Sequence, residues 1–202
     1  MIRHVLLDAD GVLQRHPVGW AAATEGFLGD GGADFFRAVT ELERTCLSGE
    51  GDFLPLLTEE LARQAPGVSA EELYVEVWHT IETVATTLEV VHELRDAGLG
   101  VHLGTNQHGR RAAYMRRELG YDQLFDESFY SCDLGAAKPA PAFFATVLDR
   151  LGAAAPEVLF VDDSELNVVA ARECGLAAEH WHVDDGIETL RDRLSGHGVV
   201  LT

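Results

Sequence analysis

Two apolar runs in this chain each end in a pair of carboxylates. Val5-Leu6-Leu7 leads into Asp8-Ala9-Asp10-Gly11, and Val158-Leu159-Phe160-Val161 leads into Asp162-Asp163-Ser164. A short run of branched and aromatic residues without polar relief is the pattern of a strand buried on both faces, and such strands belong to parallel sheets covered by helices. The remaining sequence keeps that rhythm. Segments 2–7, 100–103, 127–131, 158–161 and 177–182 read as strands. Segments 88–97, 110–119, 140–151, 165–174 and 187–194 read as the helices between and after them, with Gly98 as a stop signal. The fold class that follows is α/β, a doubly wound, mainly parallel sheet.

One interval breaks the alternation. Between residues 16 and 84 no strand pattern appears. Four helical patterns lie there instead, at 18–28, 33–46, 53–65 and 69–81, separated by Gly29-Asp30-Gly31-Gly32, Gly49-Glu50-Gly51-Asp52 and Pro66-Gly67. Ser69 with Glu72 three residues on has the capping-box spacing. A crossover between parallel strands needs one helix, so four imply an inserted helical cap. The expected division is 1–15 and 85–202 for the α/β core and 16–84 for the cap.

Composition narrows the partners. Of 202 residues, 47% are hydrophobic, enough for a sizeable core, and 34 acidic side chains against 15 Lys and Arg give a formal charge of −19. That surface repels phosphate backbones, so neither nucleic acid nor an anionic membrane is an expected partner. No apolar run reaches the roughly 18 residues of a membrane span. The apolar stretch near Met1 is too short for a signal peptide. Cys46, Cys132 and Cys174 are odd in number and widely spaced, which gives no disulfide framework and points to a cytoplasmic setting.

Asp8 and Asp10 lie two apart, so extended chain points them to one side, and Gly11 permits a sharp exit. In open α/β sheets ligand chemistry gathers beyond the carboxyl ends of the strands. If the strands before Asp8 and Asp162 are neighbours, four carboxylates converge. Their repulsion is relieved by a divalent cation, and oxygen donors suit Mg²⁺ better than zinc. The alternative is that the first pair caps a turn and that Asp163 or Ser164 caps the following helix. Thr105 and Asn106 end another strand before a helix, where hydroxyl, backbone N–H groups and helix N-terminus can hold an anion or form a plain N-cap. Lys138, in Gly135-Ala136-Ala137-Lys138-Pro139, is the sole lysine of the chain. It reads either as a point charge set against a phosphate and a carboxylate or as an ordinary surface lysine.

Taken in order, Asp8-Ala9-Asp10-Gly11, Thr105-Asn106, Lys138-Pro139 and Asp162-Asp163 resemble the motifs of the haloacid dehalogenase-like (HAD) hydrolases, over essentially the whole chain. The segment 159–164, with Asn167 and Ala170-Ala171, is similar to phosphatases of sugar phosphates and related small phosphomonoesters, and to the amino-terminal phosphatase domain of soluble epoxide hydrolases. The resemblance implies a Rossmann-like core with a small helical cap. It implies Asp8 as nucleophile, Asp10 as general acid and then base, and Thr105, Asn106 and Lys138 on the phosphoryl oxygens. It also implies Mg²⁺ bound by Asp8, the Asp10 carbonyl, and Asp162 or Asp163. The implied substrate is a small phosphorylated metabolite. Asp10 separates the family's chemistries: a halide leaves without a proton and dehalogenase members usually lack this aspartate, whereas an alkoxide needs the proton. A phosphomutase keeps the same residues. A non-catalytic binding protein on this fold is the rival from another class, opposed by the fact that every reacting position is filled.

Other features read as structural. His180-Trp181-His182 alternates in a strand without the ligands that complete a zinc site. His108 reads as a solvated residue at a helix start or a substrate contact. Arg15, His16 and Trp20 stand at the cap entry and could face substrate, with Trp20 also suited to the cap core. Trp78 reads as packing. Arg110-Arg111 with Arg116-Arg117 reads as a solvated face paired with carboxylates. Cys174 reads as buried and inert.

Overall fold

The computed structural model describes residues 1–201. In chain order its first half runs β1 (His4–Leu7), β2 (Gln14–Arg15), α1 (Trp20–Leu28), α2 (Gly32–Glu43), α3 (Phe53–Gln64), α4 (Ala70–Tyr74), β3 (Glu82–Thr83) and α5 (Ala85–Asp96). It continues β4 (Gly100–Thr105), α6 (Gly109–Glu118), α7 (Tyr121–Leu124), β5 (Glu127–Tyr130), α8 (Ser131–Leu134), α9 (Pro141–Leu151), β6 (Val158–Asp162), α10 (Glu165–Glu173), β7 (Ala177–His180) and α11 (Ile187–Gly196).

Five strands form a parallel sheet in the order β5-β4-β1-β6-β7, with β1 central. The pleat sends alternate side chains to opposite faces. Val5, Leu7, Leu159 and Val161 pack with Val90, Val91 and Leu94 of α5 and Leu190 and Leu194 of α11. Leu6, Val158 and Phe160 pack on the other face with Phe143, Phe144 and Val147 of α9 and Val168 and Ala171 of α10. Full burial of each such side chain contributes about 1.5–3 kcal/mol. The unbroken apolar runs are therefore explained by helices on both faces, the doubly wound arrangement expected. The strand expected at 177–182 stops at His180, because Trp181 N–H still donates to the Asp162 carbonyl while His182 already caps the turn Val183–Asp185.

The interval after β1 departs from expectation at its edges. β2 and β3 pair antiparallel, Gln14 with Thr83 and Arg15 with Glu82, so the two stems of the insertion are zipped together. A strand thus falls within 16–84 where none was expected; two residues are too few to show a period. The helix expected over 69–81 ends at Tyr74 and continues as a wider π-helical turn, Val75–His79. Ser69 accepts the Glu72 N–H at 3.3 Å, which is the first half of the expected capping box. Helices α1 to α4 bury a cluster of their own, centred on Phe53, Tyr74 and Trp78, with the Phe53 and Trp78 rings 4.9 Å apart edge to face. Gly49, at φ 81°, brings the turn after α2 against the Cys132 carbonyl, an approach that leaves no room for a Cβ. The three cysteines are free, and Cys174 is half-buried rather than buried as expected. Among the described residues no helix is long and apolar enough to cross a membrane.

Candidate active site

Register places the carboxylates. Leu7 lies between Leu103 and Val161, and one residue further the Asp8 N–H donates to the Val161 carbonyl at 3.0 Å. Asp8 and Asp162 therefore leave the sheet side by side. Oxygens of Asp8, Asp162 and Asp163 lie within 4.8 Å of one another. Gly11 turns the chain at φ 73°, and a methyl group there would overlap the Asp163 carboxylate. Only glycine satisfies both demands.

Lys138 is the counter-charge. Its side chain is 0% exposed, and its Nζ donates to the Gly104 carbonyl at 2.8 Å and to Asp162 Oδ2 at 2.6 Å, and stands 3.0 Å from Asp8 Oδ2. Burial disfavours the ammonium, but the attraction of Asp162 and Asp8 outweighs it and raises the Lys138 pKa. The surface alternative for this lysine is thereby replaced by a buried pivot. Asn106 holds the lysine loop from the other side, its amide donating to the Lys138 carbonyl and accepting the Lys138 N–H, both at 2.8 Å. Thr105 is buried, with its hydroxyl 3.1 Å from the Gln107 amide nitrogen.

The two members of the second pair differ. Asp162 is saturated: Oδ1 accepts the Ser164 N–H at 2.8 Å and the Asn167 amide at 2.9 Å, while Oδ2 takes Lys138. So Asp162, and neither Asp163 nor Ser164, supplies the side-chain oxygen that tethers the start of α10. Asp163 is held through its backbone, whose carbonyl bonds His180 Nε2 at 2.8 Å. Burial, followed by repulsion from Asp162, pushes the Asp163 carboxyl up to about 6. Burial raises Asp8 as well, opposed by Lys138 and reinforced by the other three carboxylates.

Asp10 sits in a different environment. Oδ1 accepts Gln14 Nε2 at 2.8 Å and an Arg111 nitrogen at 2.9 Å; Oδ2 accepts Gln107 Nε2 at 2.9 Å and the other Arg111 terminal nitrogen. Burial works against the carboxylate, but the pull of Arg111 and these donors holds Asp10 below its ordinary range. Arg111 is 4% exposed, which overturns its expected place on a solvated face. It lies on the buried stripe of α6 with Ala112 and Met115. Its neighbours do follow the expectation: Arg110 pairs with Glu71, and Arg116 with Asp122 and Asp133. Gln14, Gln107, Arg111 and Glu43 were not singled out by the motifs. The available signal for Arg111 was its position four residues before Met115 on an otherwise apolar stripe.

The expected cap-entry contacts are distributed differently. Arg15 pairs with Glu82 and Asp184, and His16 bridges the Glu76 carbonyl at 3.1 Å and the Val18 N–H at 3.3 Å, so both brace the stems of the insertion. His108 is 1% exposed rather than solvated. It is wedged between Phe53 and Tyr74, with Nε2 3.5 Å from Glu43 Oε1, and burial drives its pKa down to about 3. Trp20 and Trp78 border a cavity of about 230 Å³ beside Asp10, Asn106 and Arg111, so neither serves the helical cluster alone.

Comparison with known proteins shows the family and the fold. A sesquiterpene phosphatase of Aspergillus oryzae is 30% identical over 61% of this chain and 62% of its own length. Bifunctional epoxide hydrolase 2 of Sus scrofa is 28% identical over 87% of this chain and 36% of its own length. The chain thus spans less than two-thirds of these curated relatives. Among solved structures, a HAD family enzyme of Bacteroides thetaiotaomicron in complex with magnesium and inorganic phosphate superposes with a TM-score of 0.76, at 18% identity, over 94% of this chain and 99% of that one. The model of the haloacid dehalogenase-like hydrolases matches residues 2–175, and the chain belongs to that family of hydrolases.

Proposed function

We propose that this hydrolase is a Mg²⁺-dependent phosphatase of small phosphomonoesters that works through an aspartyl-phosphate on Asp8, with residues 16–84 acting as a cap over a core of 1–15 and 85–202. The observation that carries the reading is the convergence of Asp8, Asp162 and Asp163 around the buried Lys138, with Asp10 beside them. The phosphatase relatives and the magnesium and phosphate of the Bacteroides enzyme support it.

The donor set fits a hard divalent cation. Four carboxylates face two cationic side chains, and Asp8 and Asp163 are raised first by burial and then by repulsion from neighbouring carboxylates, which a bound cation would offset. Asp8, Asp163 and the Asp10 carbonyl would hold Mg²⁺; Asp162, its oxygens already bonded, would orient Lys138 and α10. Bound there, Mg²⁺ would neutralise charge between the nucleophile and the phosphoryl oxygens. Thr105 and Asn106 lie at the carboxyl end of β4, and Lys138 completes the phosphate side.

The chain's own residues then divide the work. An Asp8 oxygen attacks phosphorus, the P–O bond to the alcohol breaks, and the leaving oxygen takes a proton from Asp10. Water then attacks the aspartyl-phosphate, Asp10 takes the water's proton, and inorganic phosphate departs with Asp8 regenerated. The grip of Arg111, Gln14 and Gln107 suits Asp10 to the second role; a phosphate dianion arriving beside it favours the proton needed for the first. An Asp at this position also speaks for phosphatase over dehalogenase chemistry. Three unpaired cysteines support a reducing, cytoplasmic setting.

The test is phosphate release from p-nitrophenyl phosphate with and without Mg²⁺, in the wild type and in Asp8→Asn. The amide is nearly isosteric and cannot attack phosphorus, so turnover should vanish while circular dichroism stays unchanged. Retention of more than a small fraction of the activity by the purified variant overturns the nucleophile assignment.

A further inference from the structure

The cavity beside Asp10 has a composition that restricts what can leave. Its cap-side walls are Trp20, Phe36, Leu47 and Trp78, and its floor is Asp10, Asn106 and Arg111. Leu47 and Asn106 also line the adjoining groove that holds Lys138, Ser164 and Asn167. A phosphoryl group seated at Lys138 and Asp8 therefore has its ester substituent directed past Leu47 and Asn106 into the aromatic chamber.

The polar groups of that chamber are already engaged. Both Asp10 oxygens are held by Arg111, Gln14 and Gln107, and what capacity remains serves the ester oxygen in the proposed reaction. Arg111 spends Nε on the Trp78 carbonyl at 3.0 Å and shares a terminal nitrogen with Gln107 Oε1 at 2.9 Å. The Asn106 amide oxygen and one of its two N–H donors are spent on the Lys138 peptide. Glu43 lines the chamber too, its carboxyl 15% exposed, 3.5 Å from His108 and hydrogen-bonded by the Trp78 side chain. A buried hydroxyl without a partner is costly, and a polyol would bring several to a chamber whose polar groups are mostly engaged. An apolar ring meets aromatic walls instead and gains by leaving water.

Resting on the phosphatase reading above, we infer that the substrate is the phosphomonoester of a compact apolar, ring-bearing alcohol. Size agrees: an apolar cavity of about 150 Å³ takes up benzene, and the volume here is about 230 Å³, enough for a ring and a few further carbons. A sugar phosphate, the type implied by the family resemblance, fits neither the polarity nor the walls.

The experiment compares kcat/KM for benzyl phosphate, glycerol 3-phosphate and glucose 6-phosphate with Mg²⁺ present. All three are esters of primary alcohols, so leaving-group chemistry is closely matched and the pocket decides. Benzyl phosphate should lead by at least about tenfold, the scale of a few buried carbons. Phe36→Ala, at a half-buried position outside the packed heart of the helices, should reduce that ratio about tenfold, chiefly through KM. Equal or better turnover of the polyol esters, or a ratio unmoved by Phe36→Ala, overturns the inference while leaving the phosphatase reading intact. Failure of all three esters to release phosphate sinks the phosphatase reading itself. In that case binding of benzyl alcohol against glycerol, followed by ligand-observed NMR on the full chain, decides the pocket. Saturable benzyl alcohol binding that weakens in Phe36→Ala sustains the assignment, and no binding removes it.

Discussion

The terminal nitrogens of Arg111 straddle the Asp10 carboxylate, one on each oxygen, while its Nε donates to the Trp78 carbonyl at 3.0 Å. One guanidinium thus joins the loop after β1, the first turns of α6 and the end of the helical insertion. The planar fork makes this possible; an ammonium cannot present paired donors in one plane. The ring of Trp20 lies 5.7 Å from the guanidinium carbon and adds a cation–π face.

Arg111→Met should therefore do two things. With Asp10 only partly buried but Arg111 almost fully so, loss of the pair should cost about 3 kcal/mol, read by urea unfolding. It should also raise the pKa of Asp10 and move the acid limb of the pH–rate profile upward, because the largest force holding that carboxyl down is removed. Arg111→Lys should restore less than half of either effect. A pH–rate profile identical to wild type would show that Arg111 supports the fold without tuning Asp10.

Lys138→Met should be worse. It strips the cation from between Asp8 and Asp162, both closed off from water, and removal of one partner from such a buried pair costs about 3–5 kcal/mol. The loss should be smaller in millimolar Mg²⁺, since the added cation answers part of the same repulsion. Thermal unfolding of wild type and variant, each with and without Mg²⁺, checks this. A larger Mg²⁺ stabilisation of the wild type than of the variant would contradict it.

These side chains divide cleanly into those the sequence made legible and those it did not. Asp8, Asp10, Asp162, Asp163 and Lys138 could be read because each follows an apolar strand or stands in a small-residue loop, and topology alone brings strand ends together. That the strands before Asp8 and Asp162 are neighbours stood only as a condition in the sequence, and the sheet order supplies it. Arg111 could not be read as a partner of Asp10, because the pair is 101 residues apart and depends on how α6 rolls against the insertion. The split of labour between Asp162 and Asp163 was equally hidden. It follows from where Asn167 and Ser164 point, a matter of one helical turn. The β2–β3 ribbon was missed because two residues carry no periodicity.

Chelation gives a third expectation. EDTA should abolish phosphate release and Mg²⁺ should restore it, with Ca²⁺ restoring little. Three carboxylates within 4.8 Å define a tight donor set. Ca²⁺ seeks more ligands at longer bonds and would displace Asp8 from the line of attack. Mg²⁺ at about a hundred times its Kd should add about 2.7 kcal/mol of stability, so binding can be followed by thermal shift without substrate. Full activity in excess chelator would remove the metal from the proposal.

The last expectation concerns Glu43, at the end of α2. Burial, offset in part by Arg111, lifts its carboxyl from 4.5 to about 7. A carboxyl whose pKa is raised by folding binds more protons in the native state than in the unfolded chain between those two values. Stability must then fall as pH rises through that window, and Glu43 is a net liability above it. Glu43→Gln keeps the shape of the protonated side chain and removes the titration. Near pH 4.5 the two proteins should be almost equally stable, whereas at pH 8 the glutamine variant should be more stable by about 3 kcal/mol. The Glu43 carboxyl also faces His108, which stays neutral across this range because burial holds it near 3. It supplies no compensating charge. Urea unfolding of both proteins from pH 4.5 to 8 measures the difference directly. A glutamine variant less stable than wild type at pH 8 would mean that ionised Glu43 is held by Arg111 more firmly than burial opposes it, and the sign of the argument would reverse.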